Sequence, residues 1–253
     1  MRKLLVPFFI FALILPAAAQ GYTLPKRVNL DATMRREFRK HLDTFNQLLT
    51  TVFRPIGWSR DGKFAYLIEP PEEEGEGFHA QLVIVDLATD KTLWTLVNKP
   101  DERLGRDGEP RPDNATLFWK RNKKVFEEKL KEYGISQTPF TLLGKKFSSG
   151  GRAYTAKAVR DIRSDDDYGT DTVHKLTVEL SSPVLGKKTI YSHDFTKPDE
   201  LRSYDYAVAG AFKSPFEDRA AVILISVHRG WEGPPNVAEL EILGADLKKG
   251  FKR

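Results

Sequence analysis

Between residues 31 and 53, in DATMRREFRKHLDTFNQLLTTVF, apolar side chains recur every three or four positions. At 100° per residue, Met34, Phe38, Leu42, Phe45, Leu48, Leu49 and Val52 fall within an arc of about 120°. Arg35, Arg36, Arg39, Lys40 and Asp43 take the other side, and Asp31 stands at an N-cap position. The spacing predicts an amphipathic helix over 31–53, packed on the protein's own sheet or docked on a membrane or partner. A second helix is predicted over 114–133, capped by Asn114 and ended by Gly134, with Phe118, Val125, Phe126, Leu130 and Tyr133 on one face.

Elsewhere the period shortens to that of strands. FAYLIEP, AQLVIVDL and KTLWTLV follow the first helix, and a polar stretch of Lys, Asp, Gly and Pro over 98–114 separates them from the second. From 140 onward seven β-rich runs are divided by Gly, Pro, Asp and Ser clusters. One of them, AAVILISV, is apolar without alternation, as expected of a strand buried on both faces. The pattern predicts a mainly β (α+β) fold with one or two antiparallel sheets of long hairpins and two helices. Sub-units at 31–97 and 140–247 would be joined by the loop and helix of 98–139.

The first nineteen residues, MRKLLVPFFIFALILPAAA, carry basic Arg2 and Lys3, an apolar run from Leu4 to Pro16 and a small-residue Ala17–Ala19 box. This predicts a signal peptide over 1–19, cleaved after Ala19, and a periplasmic or secreted chain of residues 20–253. The apolar run is shorter than the roughly 20 residues a membrane span needs, and no later run is longer, so no transmembrane segment is expected after cleavage. Loss of Arg2 and Lys3 lowers the formal charge from +5 to +3, too mild and too mixed to argue for nucleic acid. Cysteine is absent, which excludes disulfide staples, thiol nucleophiles and cysteine metal sites, and leaves stability to a core.

In IGWSRDGKFAYLIEP, residues 56–70, the Asp61-Gly62 pair signals a hairpin turn, since Gly accepts positive φ. This WSRDGK turn resembles the W-S-x-D-G-K turn of WD40-like repeats in periplasmic propellers, with Arg60 at a position where Pro is typical. A propeller needs a period of about 40 residues, and only one echo is found, FKSPFEDRAAVILISVHRGWEGPPNVAELEI, so no complete propeller is expected. In that echo Ser214 aligns with Ser59, Arg219 with Lys63, and AELEILGADL with AQLVIVDL. Gly57–Lys63, Ala80–Asp86, Glu132–Ile135 and Gly230–Pro234 together resemble a family of bacterial predicted secreted proteins of unknown function. Trp231 in place of Phe is a departure. The resemblance implies secretion and overall layout, and the propeller-type turn implies a surface for protein or carbohydrate.

Candidate chemistry is sparse. None of the five histidines stands in a recognised metal spacing, and His174 shares a strand face with Leu176, Val178 and Leu180, as a core histidine would. The acidic loop 164–171 offers Asp165, Asp167 and Asp171 as calcium ligands, without an EF-hand spacing; the bland alternative is a solvated hairpin tip. No Gly-x-Ser-x-Gly elbow occurs, and Ser148-Ser149-Gly150-Gly151 reads as a turn rather than a phosphate cradle. In HRGWEGPPN, Trp231 with Arg229 and Glu232 forms either a rigid aromatic contact or a lid over the sheet edge. The expected function is a non-catalytic binding or structural module of the periplasm or envelope that contacts a protein or glycan through surface loops. The alternative is a calcium-dependent or hydrolytic enzyme that uses loop 164–171.

Overall fold

The computed structural model describes residues 21–72, 78–98, 113–165, 169–197, 201–231 and 233–252. The signal peptide expected over 1–19 lies outside them. The described residues form three sheets and two α-helices, and no propeller closes.

Sheet 1 is a meander of β2 (Val52–Trp58), β3 (Lys63–Glu69), β4 (Gln81–Asp86) and β5 (Lys91–Val97), with β6 (Ser136–Gln137) added beside β2. Sheet 2 carries β1 (Leu49–Thr50), β13 (Val237–Asp246), β12 (Arg219–His228) and β11 (Asp205–Lys213) in that order. Sheet 3 runs β10 (Gly186–Asp194), β9 (Thr170–Ser182), β8 (Arg152–Asp165) and β7 (Lys146–Ser149). All pairings are antiparallel except that of β1 with β13.

Sheet 2 is the central layer, and β12 shows why. Ala221, Ile223, Ile225 and Val227 enter a core shared with Phe53, Trp58 and Phe64 of sheet 1. Ala220, Val222 and Leu224 enter a second core with Tyr154, Leu176, Val178 and Leu180 of sheet 3. The unbroken apolar run is the period-2 pattern written on both faces at once. The far face of sheet 1 packs on α2 (Ala115–Glu132) through Ile56, Leu67 and Ile84 against Phe118, Trp119, Phe126 and Leu130. The layers therefore run helix, sheet, sheet, sheet.

α2 forms where expected. Asn114 Oδ1 accepts from Thr116 N at 3.0 Å and Leu117 N at 3.1 Å, and Gly134 takes φ +67° beyond the last turn. Val125, expected on the buried face, is 38% exposed, and Trp119 packs there instead.

The helix predicted over 31–53 is corrected. α1 spans only Asp31–Glu37, followed by a 3₁₀ turn at Arg39–His41. Asp31 is its first helical residue rather than its cap, and pairs with Arg35 at 3.0 Å. Two local forces end the helix. Leu42 is extended, and Asp43 Oδ1 accepts from Phe45 N at 2.9 Å and Gln47 N at 2.6 Å, a side-chain turn that competes with helical bonding. The β-branched run Thr50-Thr51-Val52 then enters β1 and β2.

The echo between the two hairpins is structural. Ser59 N donates to Lys63 O at 2.9 Å, and Ser214 N to Arg219 O at 2.9 Å. Leu87 N donates to Gly62 O at 3.1 Å, and Leu247 N to Asp218 O at 2.8 Å. Ser59 and Ser214 are both buried, and the turns touch, with the Arg60 guanidinium 5.4 Å from the centre of the Phe216 ring.

Candidate functional site: a paired-loop face at one end of the central sheet

Because β1 and β13 are parallel in the register Leu49↔Val237, the segments that precede them leave sheet 2 at the same end. Those segments are loop 42–48 and loop 229–236. They are tied together by Leu49 N donating to Asn236 O at 2.9 Å and Asn236 Nδ2 to His41 O at 2.8 Å.

Loop 229–236 leaves β12 at His228, whose Cα pairs with Val237, so the loop is closed at its base. Gly233 N donates to Gly230 O at 3.1 Å, and Gly233 takes φ +111°, a conformation that favours glycine. Both glycines are buried, the peptide between Pro234 and Pro235 is cis, and Arg229 and Trp231 are exposed. Trp231 is 89% exposed, so it is a presented aromatic and not a lid over the sheet edge. The Glu232 side chain lies outside the described residues.

Loop 42–48 is equally braced. The Asp43 turn, Asn46 at φ +59°, and Arg35 donating to Asn46 O at 2.9 Å and Leu48 O at 3.1 Å close it around Phe45. Phe45 was expected on the buried face of a helix and is instead 80% exposed. Sequence reasoning missed it because the helical stripe was read through the turn; the Asp43 and Asn46 pair was the available signal.

Beside loop 229–236 lies a cavity of about 220 Å³, lined by Ser203, Tyr206, Ser226, His228, Glu239 and Glu241 among others. His228 Nδ1 lies 2.8 Å from Arg229 O, and Nε2 stands 3.5 Å from Glu239 Oε2, an ion-pair contact. The contact holds the half-exposed Glu239 carboxyl below the usual carboxylate range. Ser226 lies opposite Glu239 in the β12–β13 register. The arrangement offers hydroxyls and carboxylates for hydrogen bonding.

Of the calcium candidates, Asp171 stands apart from this cavity. Asp171 is an exposed residue at the start of β9, its Cα opposite Ser164, and the side chains of Asp165 and Asp167 lie outside the described residues. Among the described residues no three His, Asp or Glu side chains are gathered to hold a metal. His174 leaves the expected core face because the β8–β9 register steps from Lys175 to Val173, and it is half-buried. It lines a basic recess with Arg163, Lys175 and Arg202. No described helix is long and apolar enough to cross a membrane. Comparison with protein-family models, with characterised proteins and with solved structures finds no match to this chain.

Proposed function

We propose that the chain is an exported, non-catalytic binding module of the bacterial envelope that holds a glycan through Phe45, Arg229, Trp231 and the adjoining cavity. The observation that carries this reading is the 89% exposure of Trp231 on a loop braced by backbone and Asn236 hydrogen bonds. A largely exposed indole on a braced loop loses little conformational entropy when a partner covers it. Phe45, at the same end, supplies a second apolar plate. Ser203, Ser226, Tyr206, Glu239 and Glu241 supply the acceptors and hydroxyls that sugar hydroxyls require, and this combination favours a glycan over a dry protein patch.

Trp58 is fully buried, Trp119 nearly so, and Trp94 is half-buried against Phe126 under α2, so the emission change on binding is expected from Trp231. The test is co-sedimentation with purified peptidoglycan sacculi and fluorescence titration with soluble fragments of the same material. Wild type is expected to bind, and Trp231→Ala to bind about 30-fold more weakly, the weight of a hot-spot aromatic. No new reducing ends are expected. Equal binding by the variant removes the loop as the contact, appearance of reducing ends removes the non-catalytic reading, and recovery of an envelope protein in place of glycan reassigns the partner.

A further inference from the structure

A charged recess of about 290 Å³ lies where β8 of sheet 3 passes β11 of sheet 2. β7 accompanies β8 only from Arg152 to Thr155, and past that point Ala156, Ala158, Ala207 and Val208 form a floor of small, mostly buried side chains. The volume stands at the lower end of the roughly 300–1,000 Å³ of small-molecule sites.

The lining sets Lys145, Lys146, Lys157 and Arg160 against one carboxylate, that of Glu37. Two of these cations are engaged. Arg160 pairs with Asp205 and donates to Tyr206 O at 2.7 Å. Lys145 Nζ lies 3.3 Å from Glu37, which also meets Arg36 at 3.2 Å. Lys146 and Lys157 are exposed and carry no ion pair among the described residues. The register brings these two together, because Lys146 stands opposite Thr155 and Lys157 lies two residues along β8, on the same face as Thr155. Such diagonal neighbours are about 7–8 Å apart, within reach of two long side chains that close on one anion. Thr155, half-buried beside them in the lining, adds a hydroxyl.

We infer that Lys146, Lys157 and Thr155 bind a phosphate monoester at the mouth of this recess. The class of ligand follows from the donors. Ammonium groups are point charges without a fixed fork, and the Arg160 guanidinium, whose fork would suit a planar carboxylate, is already held by Asp205. A phosphate monoester brings about two negative charges and three acceptor oxygens at pH 7, which matches two unpaired cations and a hydroxyl. Without an anion the two ammonium groups repel each other across a short span. The monoester belongs either to a free small molecule or to a lipid headgroup, and the chemistry at the lysines is the same.

The test is isothermal titration calorimetry with glycerol 3-phosphate and, as a carboxylate dianion, succinate. Co-sedimentation with phosphatidylcholine vesicles, with and without phosphatidic acid, supplies the lipid arm. Glycerol 3-phosphate is expected to bind with a Kd below about 1 mM and at least tenfold more tightly than succinate. Lys146→Gln/Lys157→Gln is expected to raise that Kd at least tenfold. Lys120→Gln/Lys124→Gln, the same change of charge on the exposed face of α2, is expected to leave it unchanged. Retention on phosphatidic acid vesicles that the first double variant abolishes would support the site and place the monoester on a lipid. Binding of glycerol 3-phosphate without vesicle retention would support the site and place it on a free molecule. Succinate binding as tightly as glycerol 3-phosphate would overturn the phosphate class, and equal loss in both double variants would overturn the site in favour of overall charge. A Kd above about 1 mM for glycerol 3-phosphate, with no vesicle retention that depends on Lys146 and Lys157, would also overturn the inference. Because these variants leave Trp231 untouched, glycan binding is expected to stay unchanged, so failure of one reading does not carry the other with it.

Discussion

At His41 burial and a neighbouring carboxylate act in opposite directions. Burial lowers the imidazole's proton affinity, and Asp205, 3.9 Å away, only partly restores it. A histidine with a depressed folded-state pKa stabilises the fold while neutral, and that contribution falls as pH drops through the unfolded value near 6.5 toward the folded one. Thermal stability is therefore expected to decline more steeply from pH 7 to 5 in wild type than in His41→Phe. The variant keeps a ring against Tyr204, whose centre lies 5.7 Å from that of His41. Identical slopes in the two proteins would show that His41 is not a source of the decline. The same residue matters to the site, since its carbonyl holds Asn236 at the exit of the Trp231 loop. None of this was legible in the sequence, where His41 fell within the helix predicted over 31–53. Periodicity reports which side chains favour burial, but the hydrogen bonds of Asp43 decide where the helix stops, and Phe45 is exposed as a result.

Among the elements, the turns were read most securely, because their chemistry is local. Gly62 takes φ +88°, as the Asp61-Gly62 pair predicts, and a Cβ there would stand 2.9 Å from Glu217 Oε1 and 3.2 Å from Arg219 Nε of the echoing turn. Gly62→Ala thus meets both a left-handed backbone and the neighbouring hairpin, and a loss of about 1–2 kcal/mol in urea unfolding is expected. An unchanged midpoint would show that the two turns are not packed as described. The cap of α2 is a gentler case: Asn114→Ala removes an acceptor for two backbone N–H groups and is expected to cost about 1 kcal/mol by the same measurement. Both signals were legible because one residue type at one position satisfies a geometric demand. β1 and β6, two residues each, carry no period of their own and are strands only through their partners, which the sequence does not disclose.

For the whole molecule, the informative stretch was AAVILISV, whose lack of alternation marked a strand covered on both sides. What covers it was not legible, because the same run would serve between a sheet and a helix layer as well as between two sheets. The arrangement has a consequence for cooperativity. Sheet 3 shares its core with sheet 2, α2 shares its core with sheet 1, and β12 alternates between the two inner cores. Leu224 faces sheet 3 and is 2% exposed, whereas Trp58 and Trp119 lie in the cores that sheet 1 shares with sheet 2 and with α2. Leu224→Ala is expected to cost about 2–5 kcal/mol, as removal of a buried leucine does. If the central sheet couples the layers, that loss lowers the midpoint of the buried-tryptophan fluorescence transition as much as the far-ultraviolet circular dichroism midpoint. Ile223→Ala, which faces the other core from the adjacent position, is expected to shift both probes alike by a similar amount. A Leu224→Ala protein whose circular dichroism midpoint falls while its tryptophan midpoint stays would mean that sheet 3 unfolds by itself. Sheet 2 would then act as a boundary between two units rather than as their common wall.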